Sequence, residues 1–554
     1  MLYFIKNTSH IFKKRQDDVL SAAFVIATSV ALSRLLGLVR YRLLASYFGH
    51  NIKLLDSFIA AQVLPDAIFE VIIFGTIALA FIPVFSQYLS RDKLEKAWRL
   101  SSTMITLGLV IFVVFTTVII VFADLIAPLI APGVISQNPS TRPVIANLLR
   151  IMIFAQLFFV VSIFLTGILQ SFQRFLIPAI ASIFYNIGII IGIIFLIPFF
   201  GIYAPAIGMI IGAIMHLLVQ LPLAYSLGFR FKLNFDFKNK DVRETFLLMW
   251  PRSISLGLIR ISDIINIAFA SIAAVGSIVA FNFAQVLQLV PISLFAGAIA
   301  QAALPSLSIE FNAKRYDQFK KLFLTSFNQI LFLILPSAAI LAVLRIPVVR
   351  LVFGAREFPW EITVLTGRTL VAFSVGIAAQ ALNLLLIRGF HAVRDSHTPV
   401  KGSIFSFAIN IILDIIFVFV LKLSIVYLAI AYSVSNLVNT ALLIYLLNKK
   451  VHFEKKTFLP ALKMILITTL TAISLYIPMK LLDQLVFDTT RTIGLILLTG
   501  IATAVGLGVY ISLSILLKIE EVSVFYAFMK RVAAFPSKLR NPSPTSIDAQ
   551  QPTP

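Results

Sequence analysis

The stretch Ser101–Ile126, SSTMITLGLVIFVVFTTVIIVFADLI, contains a single charged residue, Asp124. About 20 consecutive apolar residues are enough for a helix to cross the hydrocarbon core of a bilayer. Because unpaired backbone groups in hydrocarbon cost several kcal/mol each, we predict that this run is a transmembrane helix. A membrane β-barrel would need short alternating segments, whereas this run is continuous and too long.

Similar runs occupy most of the remaining chain, and 59% of the 554 residues are apolar while only 13% are charged. A soluble protein would carry about 25% charged residues. We therefore predict an all-α polytopic membrane protein with about fourteen transmembrane helices. The predicted spans lie near Ser21–Tyr47, Ser57–Tyr88, Ser101–Ile126, Val144–Phe172, Ile177–Phe199, Gly201–Leu227, Thr245–Ala270, Ser277–Ile309, Leu322–Leu344, Thr366–Phe390, Pro399–Leu421, Ile425–Leu447, Phe458–Leu481 and Ile493–Leu517.

Lys and Arg outnumber Asp and Glu by 46 to 24, a net charge of +22. The basic residues gather in the loops after spans 2, 6, 8 and 12 and at both chain ends, with one exception in the loop between spans 9 and 10. Such a bias is typical of cytoplasmic loops. The surplus therefore predicts that the basic loops and both termini are cytoplasmic, and not that the protein binds nucleic acid.

The two chain ends are predicted to differ from the spans. Residues 1–20 mix Phe, Lys and Asp without a cleavage site, which favours a short interfacial segment over a signal peptide. Residues 519–554 are predicted to be a cytoplasmic tail, partly disordered because its end is rich in Pro, Ser and Gln.

An internal repeat organises the spans, with a spacing close to 222 residues. Three matches share it: AQVL at 61–64 and 284–287, Pro83 and Pro305, and SIF at 182–184 and 403–405. The spacing contains six spans, and an even number leaves both copies in the same orientation. We predict an N-lobe at residues 21–228, a C-lobe at 229–448, and a further helix pair within 449–518. Transporters built from such parallel repeats bind substrate between the halves and rock one half against the other.

Two arginines lie inside span 1, where a charge costs at least about 2.5 kcal/mol by insertion scales. Arg34 lies deep in the span, and Arg40 lies nearer its far end. They are predicted to face a positively charged, water-filled hollow between the halves, although snorkelling to the interface would also explain Arg40. Asp56, at the start of span 2, is expected either to pair with Arg40 or to interact with a helix dipole.

Span 7 contains three more charged residues, Arg252, Arg260 and Asp263. Residues three apart on a helix are neighbours, so Arg260 and Asp263 can neutralise each other. Arg260 is predicted to lie deep enough to face the cavity, with Arg252 nearer the cytoplasmic loop.

A possible coupling-ion site lies in span 11, where Asn410 precedes Asp414 by one turn. Hard cations prefer oxygen ligands, so the pair suggests a Na⁺ or proton site that Asp263 or Asn266 from span 7 might complete. A hydrogen-bonded packing pair is the alternative. The chain has no Cys, no histidine cluster with metal-ligand spacing and no P-loop motif, so we expect no metal and no organic cofactor.

The segment Ser33–Arg40, SRLLGLVR, resembles the start of the MurJ (MviN) lipid II flippase family, part of the multidrug/oligosaccharidyl-lipid/polysaccharide (MOP) exporter superfamily. The similarity continues in order along nearly the whole chain. Its other motifs are Asp56-Ser57-Phe58, Leu64-Pro65, Phe81-Ile82-Pro83, FGAREF at 353–358 and GFHAVRDSHTPV at 389–400.

This resemblance implies a monomeric, non-enzymatic flippase of the bacterial cell (inner) membrane. It would move lipid II, an undecaprenyl-pyrophosphate-linked disaccharide-pentapeptide, from the inner to the outer leaflet by alternating access. It implies that Arg34 and Arg40 hold the pyrophosphate and that Asp56 is the acidic residue of the family's cavity. Spans 13 and 14 match in position two helices that form a groove for the lipid tail. The membrane potential, acting on a cationic cavity, is a further possible energy source.

The chain also departs from the family pattern. Phe69, followed by Glu70, and Gln285 stand where the family often has arginine. Arg260 and Arg252 are expected to compensate, together with a contact from Gln285. The alternatives are a MOP exporter for another lipid-linked oligosaccharide and a cation-coupled drug antiporter, whose cavity would be acidic.

Overall fold

The computed structural model describes residues 19–71, 81–236, 240–453, 459–489 and 491–523. At 19–27, 246, 248–256 and 258 it describes the backbone alone. The predicted interfacial segment at 1–20 and the predicted tail at 519–554 therefore lie almost wholly outside the described residues.

The described residues are predominantly helical, because long apolar runs satisfy their backbone groups within one segment. We number their helices in chain order. They are α1 (Val19–Phe48), α2 (Ile52–Phe69), α3 (Ile82–Ser90), α4 (Leu94–Ile130), α5 (Pro132–Gln137), α6 (Thr141–Ser171), α7 (Leu176–Phe200), α8 (Tyr203–Ser226), α9 (Lys240–Ala273), α10 (Ser277–Asn312), α11 (Tyr316–Val343), α12 (Arg345–Phe353), α13 (Trp360–Ala392), α14 (His397–Val420), α15 (Val426–Val451), α16 (Leu459–Leu485) and α17 (Thr492–Leu516).

Within the described part of the chain, eleven helices are long and apolar enough to cross a membrane. The all-α polytopic prediction is therefore confirmed. The count of fourteen stays a prediction, because α1, α2, α3 and α9 are not among the eleven.

The backbone repeats at the spacing that the sequence matches indicated. Wide π-helical turns occur at 192–196 in α7 and at 416–420 in α14. A second pair starts at residue 70, after α2, and at residue 292 in α10. π-turns are rare and often mark functional positions, so their recurrence indicates that the two halves share one helical framework.

The helix ends repeat as well. Four pairs of residues with positive φ end equivalent helices in the two halves: Asp92 and Lys314, Gln173 and Arg394, Gly201 and Lys422, and Gly228 and His452. A left-handed residue is a common way to stop a helix. Most of these positions lack glycine, so the shared geometry is set by the fold more than by the local residue type.

Small residues allow α7 and α8 to pack closely. A Cβ atom on Gly188 would collide with the backbone at Gly212, and one on Gly192 would collide with the backbone at Gly208. The glycines therefore form two small-xxx-small faces of the kind that brings membrane helices together. This contact fixes α7, which carries part of the cavity wall.

The C-terminal helices α16 and α17 pack against each other, and α16 also packs on α11. Tyr510 on α17 donates a hydrogen bond to the backbone oxygen of Phe332, at 3.0 Å. Much of the remaining surface of the pair is apolar and exposed, including Leu466 and Ile473 on α16 and Ile496 on α17. The pair is thus anchored to the second half and leaves an apolar face outward.

Candidate functional site

A cavity of about 600 Å³ lies between the two halves. Most of its wall comes from α1, α2, α6 and α7 of the first half and from α9 and α10 of the second. Helix α8 adds His216. Its polar lining residues are Ser33, Arg34, Arg40, Tyr41, Gln62, Asp66, Glu70, Gln156, Ser182, Tyr185, Asn186, His216, Arg260, Asn282 and Gln285. The volume lies within the range of small-molecule and cofactor sites.

Arg34 is held at the cavity by the contact of α1 with α7. Asn186 on α7 donates hydrogen bonds to the hydroxyl and to the backbone oxygen of Ser33, at 3.1 and 3.3 Å. These bonds fix the turn of α1 that presents Arg34 to the cavity. Among the described residues, no carboxylate pairs with Arg34, so its charge is available to a ligand.

Arg40 lies farther along the same helix and also lines the cavity. Its guanidinium lies 4.7 Å from the centre of the Tyr41 ring, a cation–π contact. Its Nε atom is buried and has no hydrogen-bond partner in the described structure. An unsatisfied buried donor of a charged group is costly, so this position favours a bound acceptor.

The other wall of the cavity is acidic. A smaller adjoining cavity of about 130 Å³ shares Asp66, Glu70 and Arg260 with the first and adds Asp263. Arg260 forms ion pairs with Glu70 and with Asp263, the latter at 2.7 Å. The predicted Arg260–Asp263 pair is thus present, but Glu70 from α2 is a second partner that the sequence reasoning missed.

The expectation of a positively charged hollow is therefore wrong for the described lining. Three arginines face the two joined cavities, and so do three carboxylates, those of Asp66, Glu70 and Asp263. Asp66 on α2 and Glu70 in the turn that follows it lie four residues apart in predicted span 2. Their position within an apolar run is the sequence signal that indicates both as intramembrane charges.

Gln285 lines both cavities, and its Nε2 lies 3.5 Å from Oδ1 of Asp263. It therefore faces the acidic wall. The side chain of Arg252 lies outside the described residues.

Asp56 does not pair with Arg40, which corrects one of the two sequence expectations. Its carboxylate accepts hydrogen bonds from the backbone N–H groups of Gly276 and Val279, at 2.6 and 2.9 Å. The side chain is 1% exposed and is not among the residues that line the two described cavities. The free N–H groups at the start of α10 attract a carboxylate, so Asp56 caps a helix of the other half.

Further contacts between the halves lie at the same end of the bundle. The backbone N–H of Gly133, in α5, donates to the hydroxyl of Ser271 at 3.0 Å. Gly49, after α1, lies so close to the backbone of Glu357 that a Cβ atom there would collide with it. We call this set of contacts, together with the Asp56 cap, the end seal.

Asn410 and Asp414, the two residues of the predicted coupling-ion site, are buried on α14, which packs on α9. Ser262 donates a hydrogen bond to Oδ1 of Asn410 at 3.0 Å, and Asn266 lies 3.5 Å from the Ser262 hydroxyl. Asp263 belongs instead to the Arg260 group. Both carboxylate oxygens of Asp414 and Oδ1 of Asn266 are buried without a hydrogen-bond partner in the described structure.

The family model for lipid II flippase MurJ matches residues 44–530. The chain belongs to the MurJ family. Membership places it among transporters and not among enzymes.

Among MurJ relatives, the probable lipid II flippase of Buchnera aphidicola subsp. Acyrthosiphon pisum is 29% identical over 473 residues, which cover 84% of this chain and 91% of the relative. The probable lipid II flippase of Thermotoga maritima is 28% identical over 493 residues, covering 88% of this chain and 95% of the relative. The match thus extends over most of both proteins.

Two solved structures share the fold. A lipid II flippase MurJ in an inward closed conformation has a TM-score of 0.73 at 24% identity, covering 91% of this chain and 99% of that one. An inward-facing multidrug transporter of the MATE family, in the MOP superfamily, has a TM-score of 0.63 at 14% identity, covering 77% and 98%. The MurJ fold of this chain is therefore a MOP-type fold.

Proposed function

We propose that this MurJ-family protein flips lipid II from the inner to the outer leaflet of the bacterial cell membrane. The observation that carries the proposal is that Arg34 and Arg40, which form no direct ion pair among the described residues, line a polar cavity between two repeated halves. Arginines within membrane helices almost always face the protein interior or a water-filled cavity, and they often mark a substrate pathway.

The chemistry of the substrate matches the part of the cavity wall that carries Arg34 and Arg40. A pyrophosphate is a compact anion that must leave water to cross the membrane. Arginine offers it bidentate hydrogen bonds and a charge that does not titrate. Each buried charge offsets the desolvation cost of the other. The polyprenyl tail remains in lipid or against the apolar face of α16 and α17, so only the head group needs the cavity.

Alternating access supplies the movement. The end seal joins the halves on one side of the cavity, at the connections that follow α1 and α9. With the basic loops and both termini in the cytoplasm, this seal lies on the outer side, and release of lipid II requires it to open. The cavity lies within one chain, so a monomer is sufficient.

A coupling cation fits the cluster around Asp414. Three buried oxygen acceptors, two from Asp414 and one from Asn266, lack donors, and buried polar atoms are seldom left so. Hard cations such as Na⁺ are bound by carboxylate and amide oxygens, and a proton on Asp414 is the other means of compensation. The cluster lies where α9 packs on α14, so occupancy would change how these helices meet.

A cation-coupled drug antiporter is the rival function that a specific observation favours. Asp66, Glu70 and Asp263 supply the acidic lining that such an antiporter needs, and the MATE structure shares the fold. A drug cation would gain nothing from Arg34 and Arg40, however, so the basic wall discriminates against this function. A MOP exporter of another lipid-linked oligosaccharide would need the same two arginines.

The proposal is tested by complementation of a cell depleted of its own MurJ. The unmodified chain should restore growth, and Arg34→Ala should fail to do so while reaching the membrane in normal amount. Arg142→Ala is the matched control, because the Arg142 side chain donates to the backbone oxygen of Asp124 at an exposed site away from the cavity. Failure of the unmodified chain, or normal growth with Arg34→Ala, would contradict the proposal.

Coupling is tested separately with Asp414→Asn, which removes the charge and keeps the shape. Flipping in proteoliposomes should lose its dependence on Na⁺ or on the pH gradient, whichever the unmodified protein displays. Thr116→Val is the control, since it also alters an unsatisfied buried polar group but lies on α4. An unchanged ion dependence in Asp414→Asn would remove the coupling role.

A further inference from the structure

The charges of the cavity are separated into two walls. Arg34 and Arg40 line only the larger cavity, whereas Asp66 and Glu70 line both it and the adjoining acidic one. A site built solely for a pyrophosphate would have no use for carboxylates, because they repel it. The acidic wall therefore requires an explanation of its own.

Arg260 does not neutralise this wall. Its single positive charge is shared by two carboxylates, those of Glu70 and Asp263, which leaves one negative charge in excess. Asp66 adds another carboxylate, which forms no direct ion pair among the described residues, although Arg40 and Arg260 attract it electrostatically. The joined cavities thus carry equal numbers of arginines and carboxylates, with the arginines of α1 on one wall and Asp66, Glu70 and Asp263 on the other.

Asp66 and two amide side chains on the lining have acceptor oxygens with few or no donors. Asp66 receives one hydrogen bond, from Gln62 at 2.9 Å. Oδ1 of Asn282, which lines both cavities, is buried without a partner. Gln156, only 1% exposed on the wall of the larger cavity, has an Oε1 atom without a partner. Buried acceptors of this kind call for a donor from a ligand.

We infer that the acidic wall is a second subsite, which binds a primary ammonium group on the head group of the transported lipid. An ammonium is compact, carries one positive charge and has three donors, which suits Asp66 and Asn282 together. The substrate would then be zwitterionic at the cavity, with its pyrophosphate on Arg34 and Arg40 and its amine on α2. This inference rests on the proposed function and narrows its substrate class.

The position of Asp66 makes it the specificity-determining residue. Gln62, Asp66 and Glu70 follow one another at four-residue spacing, so they form one face of α2. Glu70 is engaged with Arg260, and Gln62 supports Asp66 from the preceding turn. Asp66 is therefore the carboxylate of α2 that is free to meet a ligand.

The test compares two lipids in proteoliposomes that contain the full-length protein. One is an undecaprenyl-pyrophosphate disaccharide with a lysine-containing pentapeptide, and the other is the same lipid with the lysine Nε acetylated. Acetylation removes the charge and leaves the pyrophosphate intact. The unmodified protein should flip the free-amine lipid about tenfold faster, as expected for one hydrogen bond to a charged group.

Asp66→Asn should slow flipping of the free-amine lipid to the rate of the acetylated one and leave the acetylated lipid unaffected. Asp124→Asn is the control, since Asp124 pairs with Arg150 away from the cavity. Equal rates for the two lipids in the unmodified protein would overturn the inference while the flippase function stands. Equal slowing of both lipids by Asp66→Asn would overturn it as well. If neither lipid moves, the proposed function itself fails.

Discussion

Arg40 and Arg260 are the same residue type in the wall of one cavity, yet their surroundings are opposite. Arg260 is bound by two carboxylates from two helices. Arg40 contacts a tyrosine ring and leaves its Nε unsatisfied. Pairing offsets the desolvation of a buried charge, so Arg260 holds α9 to α2 in this state. The unpaired charge of Arg40 remains for a ligand.

The largest effect that this comparison predicts is on transport by Arg40→Ala. Loss of a buried, charge-assisted contact to pyrophosphate should lower the flipping rate by about 100-fold. The melting temperature should stay the same or rise, because an unsatisfied buried donor disappears with the side chain. Flipping assays and thermal unfolding of the same preparation measure both. A variant that loses stability and keeps its transport would reverse the roles that we assign to the two arginines.

Arg260→Gln should behave in the opposite way. It leaves Glu70 and Asp263 facing each other without a cation, which should destabilise the protein by about 2 kcal/mol, a discounted value because both side chains of the Glu70 pair are partly exposed. Adding Glu70→Gln and Asp263→Asn should restore most of the melting temperature, since no charge is then left unpaired.

The triple variant also separates structure from transport. If Arg260 is structural, the neutral triple variant should retain flipping of the acetylated lipid within a few-fold of the unmodified protein. If Arg260 instead replaces a missing pyrophosphate ligand, as the sequence suggested, flipping should be lost although the protein is stable. Thermal unfolding and flipping by the single and triple variants decide between these outcomes.

The sequence was sufficient for features that depend on one segment. Apolar runs predicted the helical membrane fold, and three-residue spacing predicted the Arg260–Asp263 pair that the structure contains. Hydropathy works at this level because each membrane helix must satisfy its own backbone.

The sequence could not predict features that depend on contacts between two helices. Glu70 reaches Arg260 from α2, and Asp56 caps α10 from about 220 positions away in the chain. Local spacing contains no information on which helices meet. The sequence therefore located charges within the membrane spans, but it could predict neither the partner of Asp56 nor the balance of charge in the cavity.

The ion pair between Asp395 and Lys450 is expected to contribute less to stability than the Arg260 group. Asp395, between α13 and α14, accepts hydrogen bonds from Lys450 at 2.6 Å and from the backbone N–H of Thr398 at 3.0 Å. Partial burial would raise the pKa of this carboxyl, but the bonds from Lys450 and Thr398 outweigh it and hold the pKa well below its usual range. Asp395 lies in a connection between helices and Lys450 in the last turn of α15, where its partly exposed side chain is screened by water.

Asp395→Asn should therefore have the smallest effect, about 1 kcal/mol of stability at neutral pH, as for a helix-cap residue, and no effect on flipping. A lowered pKa in the folded state means that the stabilisation is present above the ordinary carboxyl pKa of about 4 and is lost as the pH falls toward the folded value. The difference in melting temperature between the unmodified protein and Asp395→Asn should accordingly shrink below about pH 4. A difference that is constant with pH would mean that the hydrogen bonds to Thr398 need no charge on residue 395. Residue 395 would then stabilise the protein through hydrogen bonds alone, whereas Arg260 stabilises it by pairing its charge with two carboxylates.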